Sequence, residues 1–344
     1  MEERMELIGS DISDLENLIK ELDQPKFRAK QLFSWLYNKK VDKIKEMTNL
    51  SKELRAKLEK KTRIERLKLI KSQESSDGTV KYLFGLSDGN KIESVYMPYR
   101  DGRRSICIST QVGCGMGCNF CATGLHGLSR NLTAGEIVNQ ILTVEDITGE
   151  EISNVVFMGM GEPLANYDRV LKAIRLINSE QGMNIGMRRI TLSTCGLIPQ
   201  IESLAQEKLQ LTLAISLHAA NNKLRSQMMP INAKYPVEEL IPACKRYTEL
   251  TGRRITFEYA IVDGLNDSYA HARELAKLLR GMLAHVNLIP INEVEGIDYT
   301  RPQRRSINLF KEELDKLNIP ATIRVERGGD IDAACGQLQG KEDR

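Results

Sequence analysis

The sequence predicts an α/β fold: a partial (β/α)6 barrel preceded by a small helical domain and a short β extension. Three observations lead there. From about residue 105 onward, strand-like segments rich in β-branched residues alternate with amphipathic helical segments some six times. Residues 10–70 show only the helical period. Between the two, residues 80–108 alternate apolar and polar side chains around Asp-Gly pairs, the pattern of strands and hairpins.

In chain order, SDISDLENLIKEL begins with cap-forming residues and places Ile12, Leu15, Leu18 and Ile19 on one helix face. FRAKQLFSWLYNKK repeats that period with Phe27, Leu32, Phe33 and Leu36, and LSKELRAKLEKK follows. RSICIST reads as the first barrel strand, and TAGEIVNQILTVEDITG as a helix opened by a Thr133–Glu136 capping box. SNVVFMG, RRITLST, LTLAISLHA, ITFEYAIV and HVNLIPI are the next five strands. The helices YDRVLKAIRLINSE, LIPQIESLAQE, VEELIPACKRYTELTG, YAHARELAKLLRGM and QRRSINLFKEELDKLN follow them in turn. ATIRVE is a final strand that pairs at the sheet edge or closes the barrel. The expected organisation is a basic helical domain over residues 1–72, a β-rich connection over 73–104 and the barrel with a C-terminal loop over 105–344.

The chain has 344 residues, 41% hydrophobic and 28% charged, which is ordinary globular usage and excludes a mostly disordered chain. No apolar run approaches the roughly 18 residues of a membrane span. The acidic first residues lack a signal-peptide core, so a cytoplasmic protein without membrane contact is expected. Net charge is only +3, but residues 26–71 hold 16 Lys or Arg against 5 Asp or Glu. So local a basic excess suits a polyanion such as RNA; a solvated helix surface is the plainer reading.

Of seven cysteines, three stand together as Cys114-Gly-Met-Gly-Cys118-Asn-Phe-Cys121. In a reducing compartment, clustered cysteines read as metal ligands or catalytic thiols. Three thiolates in a glycine-rich loop suit an iron–sulfur cluster with one iron open to an outside ligand. The competing reading is a zinc site completed by His126, although no second Cys pair appears to make the usual two knuckles. Short polar residues stand at strand C-terminal ends, where barrel enzymes place their chemistry: Gly161 and Glu162 in GMGEPLAN, Ser193 in LSTCG, Ser216, Leu217 and His218 in SLH, and Asn292 in LIPIN. Cys107 lies on the strand entering the cluster loop, and Cys335 lies in DIDAACGQL, where small neighbours leave room around the thiol. Taken singly, each cysteine also reads as a small buried hydrophobe.

The Cys114/Cys118/Cys121 loop after the first barrel strand resembles the signature of the radical S-adenosylmethionine (SAM) enzymes. With GMGEPLAN, LSTCG, SLH, LIPIN and DIDAACGQL in that order, the chain resembles the RlmN family over essentially its whole length. That resemblance implies a methyltransferase acting on adenine C2 in 23S rRNA and tRNA, with one [4Fe-4S] cluster on Cys114, Cys118 and Cys121. It implies SAM bound by Gly161, Glu162, Ser193, Ser216, Leu217, His218 and Asn292, and an electron donor such as flavodoxin. A monomer is expected. The C2 carbon lies between two nitrogens and is no nucleophile, so direct displacement on SAM fails. The resemblance implies instead that Cys335 takes a methyl group from one SAM and that a 5′-deoxyadenosyl radical from a second abstracts hydrogen from it. The methylene then adds to C2, a base matched by Glu93 removes the C2 proton, and Cys107 resolves the adduct by forming a disulfide with Cys335.

Two other readings stand beside this one. A sister family methylates C8 of the same adenine with the same cluster and thiols; Pro163 and Cys195 stand here where those enzymes favour Ala and Ile, which points to C2. A non-catalytic RNA-binding module with a structural metal keeps the basic helices but has no use for Glu162, Ser193 or Cys335.

Overall fold

The computed structural model describes residues 4–340; the outermost residues of the first and last expected domains, 1–3 and 341–344, lie outside it. The N-terminal unit holds β1 (Met5–Glu6), α1 (Ile12–Glu21), α2 (Phe27–Tyr37), α3 (Lys52–Lys61) and β2 (Thr62–Arg63). Leu15, Leu18 and Ile19 of α1 pack with Leu32, Phe33 and Leu36 of α2, as the periodicity predicts, but Phe27, counted on the same face, is exposed at the first position of α2. Asp11, rather than Ser10, caps α1 in a reciprocal box with Asp14. The parallel β1–β2 pair is a feature that two-residue strands leave no sequence pattern for.

This unit is pressed onto the barrel. Gly9, at φ 99°, faces Gly135 so closely that a Cβ on Gly135 would lie 2.2 Å from the Ile8 carbonyl oxygen. The Tyr37 hydroxyl accepts from Gly9 N–H (2.8 Å) and donates to the Ser10 carbonyl (2.9 Å), fixing the same turn.

One ten-stranded sheet carries the rest. Its antiparallel part is β3 (Lys68–Glu74), β4 (Val80–Gly85) and β5 (Lys91–Pro98), joined through Asp77-Gly78 and Asp88-Gly89 turns. The sheet continues in parallel through β6 (Arg104–Cys107), β9 (Asn154–Phe157), β10 (Ile190–Thr194), β11 (Thr212–Ser216), β12 (Ile255–Ile261), β13 (Ala284–Pro290) and β14 (Ala321–Ile323). The seven parallel strands are the expected six plus an edge strand. β14 pairs only with β13, so the barrel stays open. Helices α5 (Ala134–Thr148), α6 (Tyr167–Asn178), α7 (Ile198–Gln206), α9 (Val237–Thr251), α10 (Tyr269–Leu279) and α11 (Arg304–Lys316) join successive strands. α8 (Asn222–Met228) is an extra turn before α9. The Thr133–Glu136 box caps α5 as expected.

Two expectations need correction. Residues 68–72 belong to strand β3, not to the helical domain; their lysines continue the basic run, and only pairing with β4, across a bulge between Leu69 and Lys71, makes them a strand. The RSICIST strand stops at Cys107. Residues Gln111–Gly113 instead form β7, paired with β8 (Leu128–Asn131) in a separate ribbon, with the short helix α4 (Ala122–Leu125) between them.

Candidate active site

The β7–β8 ribbon carries the cysteine loop. Gly113, at φ 74°, has room for no side chain, since a Cβ would come within 2.0 Å of the Gly127 carbonyl oxygen. That close approach lets Cys114 N–H donate to the same carbonyl (2.8 Å), so the first cysteine is set by backbone. Cys114, Cys118 and Cys121 are all free, half-buried thiols lining one cavity at the C-terminal mouth of the sheet. His126 is exposed and stands outside that cavity. Among the described residues, no three His, Cys, Asp or Glu side chains converge closely enough for a single metal ion. A multi-iron cluster, whose ligands stand farther apart, fits this loop; mononuclear zinc with His126 does not. Burial holds the bare Cys114 thiol at about 11 and Cys118 higher still, and an iron cation reverses that preference by stabilising thiolate.

Opposite the loop, Gly161, Glu162, Ser193, Ser216, His218 and Asn292 line the same cavity of about 160 Å³. Gly161, at φ 101°, lets the backbone pass Gln111, whose Cβ would lie 2.5 Å from an added methyl. Glu162 is buried and accepts from Leu164 N–H (2.9 Å) and Cys195 N–H (2.7 Å), which aims the carboxyl from the β9 end towards β10. Burial raises its pKa against those two hydrogen bonds, so a cationic ligand beside it would restore the carboxylate. Ser193 Oγ and Ser216 Oγ stand 3.5 Å apart on neighbouring strands.

His218 is held in the left-handed region, φ 58°, by the buried Asn266, which donates to the His218 and Ala260 carbonyls (both 2.8 Å). Its Nδ1 accepts from Ala260 N–H (2.9 Å), leaving Nε2 as the protonated nitrogen, and burial with Arg225 pushes its pKa down to about 3. The ring meets Phe120 of the cysteine loop edge-on at 4.7 Å. Leu217, between Ser216 and His218, brings no side chain to the cavity: it is fully buried in the core, and its N–H donates to the Glu258 carbonyl (3.0 Å).

The C-terminal segment crosses the mouth. Cys335 lines the cavity; its carbonyl accepts from Asn292 Nδ2 (3.0 Å), and the next carbonyl, Gly336, accepts from Ala122 N–H (2.7 Å) beside Cys121. Cys335 also lines a second, narrow recess of about 60 Å³ on the far side, together with Cys107. The two thiols named from sequence thus border one space although 228 positions separate them. Burial pushes Cys107 up to about 12. Glu93 lines neither cavity. It is buried, with Oε1 3.4 Å from Lys81 Nζ and Oε2 accepting from Gln339 N–H (2.6 Å) and Gly340 N–H (3.0 Å).

Cavity residues without a counterpart in the sequence reading include Glu258, which breaks the apolar run ITFEYAI of β12, Met158 after β9, and Arg324 after the edge strand β14. Cys244 is buried in the core, the plain fate expected for it; Cys195 is buried too, but it lines the cavity beside Glu162, to which its N–H donates.

A cluster loop on a ribbon beside the first strand of an open parallel barrel, facing an acid and hydroxyls at the next strand ends, defines a radical SAM enzyme. Residues 108–277 match the Radical SAM superfamily, and residues 5–64 match the Ribosomal RNA large subunit methyltransferase N-terminal domain. The chain is 53% identical over 340 residues, 98% of each chain, to the Alkaliphilus oremlandii protein named "Probable dual-specificity RNA methyltransferase RlmN". It is 52% identical to the protein of that name from Staphylococcus aureus, covering 96% of this chain and 91% of the other. The crystal structure of a radical SAM methyltransferase from Sphaerobacter thermophilus superimposes with a TM-score of 0.93 at 48% identity, covering 98% and 100%. The chain belongs to the RlmN family of radical SAM RNA methyltransferases. It is an enzyme that uses a [4Fe-4S] cluster and SAM, and RNA is its substrate.

Proposed function

We propose that this enzyme methylates C2 of adenine in 23S rRNA and in tRNA, through a methyl group carried on Cys335 and a covalent protein–RNA intermediate. The observation that carries this reading is the position of Cys335 on the wall between the cluster cavity and the Cys107 recess. A direct methyl donor needs no thiol there. When bound, the cluster and SAM supply the hydrogen-abstracting radical that side chains lack. Cys114, Cys118 and Cys121 hold the cluster. Glu162, with Ser193 and Ser216, is placed to receive the amino group of SAM, while Gly161 admits it by lacking a side chain. His218 brings a neutral ring with one N–H donor, and Asn292 fixes the Cys335 loop through its carbonyl. Cys335 accepts the methyl, bonds through its methylene to C2, and is released when Cys107 joins it in a disulfide. Glu93 is assigned the C2 proton once the tail segment leaves it.

Electrons come from a small carrier such as flavodoxin, and the enzyme works as a cytoplasmic monomer. Among the described residues no helix is long and apolar enough to cross a membrane. The three-part division, with the β connection between a basic helical domain and the barrel, is kept with its first boundary near residue 67. Pro163 and Cys195 favour C2 over C8.

The test is anaerobic turnover with SAM, a reductant and RNA, followed by digestion and mass spectrometry. 2-Methyladenosine from both rRNA and tRNA is expected; 8-methyladenosine would move the enzyme to the sister activity.

A further inference from the structure

Arg324 is the unassigned cation of the site. Its backbone N–H continues the β13–β14 ladder by donating to the Leu288 carbonyl (2.8 Å), and its guanidinium lines both the cluster cavity and the Cys107 recess. Nη1 reaches only Met158 Sδ, at 3.6 Å, a weak acceptor. Among the described residues no carboxylate lies within ion-pair distance of it, and Met158 is its side-chain partner. Such a cation beside two thiols is costly unless a ligand uses it. Arg324 shares the cluster cavity with Cys335 and Glu258, and the recess with Cys107 and Cys335. At the rim of the recess, Tyr99 lies against the guanidinium groups of Arg103 (4.4 Å) and Arg327 (4.3 Å), a cationic edge suited to a phosphate.

Resting on the reading of a Cys335–C2 bond, we infer that Arg324 donates a hydrogen bond to a ring nitrogen flanking adenine C2, holding the base on the Cys107 side. The geometry restricts the acceptor. When C2 is bonded to the Cys335 methylene and within reach of Cys107, the ring atoms flanking it that a donor lining the same recess can meet are N1 and N3. A guanidinium donor there orients the base and draws electron density from the ring as C2 loses its proton. The recess is too narrow for a purine while residues 328–340 lie across it, so the base enters as that segment shifts.

The test uses anaerobic holoenzyme and RNA stem-loops carrying adenine, 1-deazaadenine or 3-deazaadenine at the target position. Intact-protein mass spectrometry reads Cys335 methylation, and nucleoside analysis reads 5′-deoxyadenosine and the methylated base. R324Q is expected to methylate Cys335 and cleave SAM as the wild type does, and to lose RNA methylation by about 10- to 100-fold. One deaza analogue should be penalised at least about tenfold more in the wild type than in R324Q. R324K, which keeps one charged donor, should recover part of the activity and serves for the deaza comparison if R324Q does not hold its cluster. Loss of Cys335 methylation in these variants would make Arg324 a partner of the thiolate and overturn the inference. Loss of SAM cleavage with the cluster intact would make it a SAM ligand and overturn it too, as would equal deaza penalties in wild type and variant. Wild-type enzyme that makes no 2-methyladenosine fails the proposed function itself; wild-type enzyme that makes it while R324Q does too fails only this inference.

Discussion

Glu93 Oε2 accepts the backbone N–H of Gln339 at 2.6 Å, so the carboxylate assigned to the C2 proton is spent, in this state, on the tail of the catalytic loop. Lys81 reinforces the grip by donating to the Asp332 carbonyl (3.1 Å) while facing Glu93. Replacing Glu93 with Ala removes the carboxylate facing Lys81 and leaves the partly buried N–H groups of Gln339 and Gly340 without their acceptor. That is expected to cost about 1–3 kcal/mol locally and to speed hydrogen exchange across residues 328–340. Glu93→Gln keeps an acceptor for the tail but no base, so exchange should stay slow while the protein–RNA adduct persists. Equal exchange in wild type and E93A would show that Glu93 does not hold the segment.

Removing either thiol should stop the reaction at a different point. Cys335→Ala has no methyl carrier and should leave both protein and RNA unmodified. Cys107→Ala should still acquire the methyl and add to RNA, then accumulate a species that runs above free protein on a denaturing gel and collapses with nuclease. Normal methyladenosine yield from C107A without that species would make Cys107 a packing residue of β6.

The resolution step should depend on pH. Burial first, then the neighbouring Cys335, raises Cys107 to about 12, so it is a thiol at neutral pH and its thiolate fraction grows about tenfold per unit below that value. Rapid-quench measurement of adduct decay between pH 7 and 9 should show a rate rising with pH. A flat or falling profile would mean that a step other than Cys107 deprotonation limits resolution.

Lys30, Lys39, Lys45, Lys52 and Lys60 are exposed in the N-terminal unit, with no carboxylate in ion-pair distance among the described residues. Replacing all five with Gln should weaken RNA binding and flatten its dependence on salt, because each lost phosphate contact removes about one unit of the log–log slope. SAM cleavage, whose residues all lie in the barrel, should not change. An unaltered salt slope would return these lysines to solvation alone.

The N-terminal unit is seated on α5 through the close approach of Gly9 and Gly135. Gly135→Ala should separate the two surfaces by forcing a methyl against the Ile8 carbonyl, and lower thermal stability by an amount typical of overpacking, about 1–3 kcal/mol. Calorimetry reads this directly, and an unchanged Tm would mean that the N-terminal unit rides loosely on the barrel.

The parts of the site readable in the sequence were those with a local signature. The Cys114/Cys118/Cys121 spacing and the polar residues at strand ends each announce themselves within a few positions, and the cavity gathers nearly all of them. Of the run Ser216-Leu217-His218, alternation sends the middle side chain into the core, which residue type alone does not tell. Glu93 could be named but not placed, since its partners come from the far end of the chain. β3 hid inside a basic run, and Arg324 was passed over because an edge strand carried no helix after it to mark its end.

The open barrel leaves the sheet with two free margins, and each is a poor template for a neighbour. β3 is interrupted by its bulge and carries exposed Lys68 and half-buried Lys71, while β14 spans three residues. A second chain adding a strand at β3 would have to bury ammonium groups across a kink, and at β14 it would gain only a few backbone bonds.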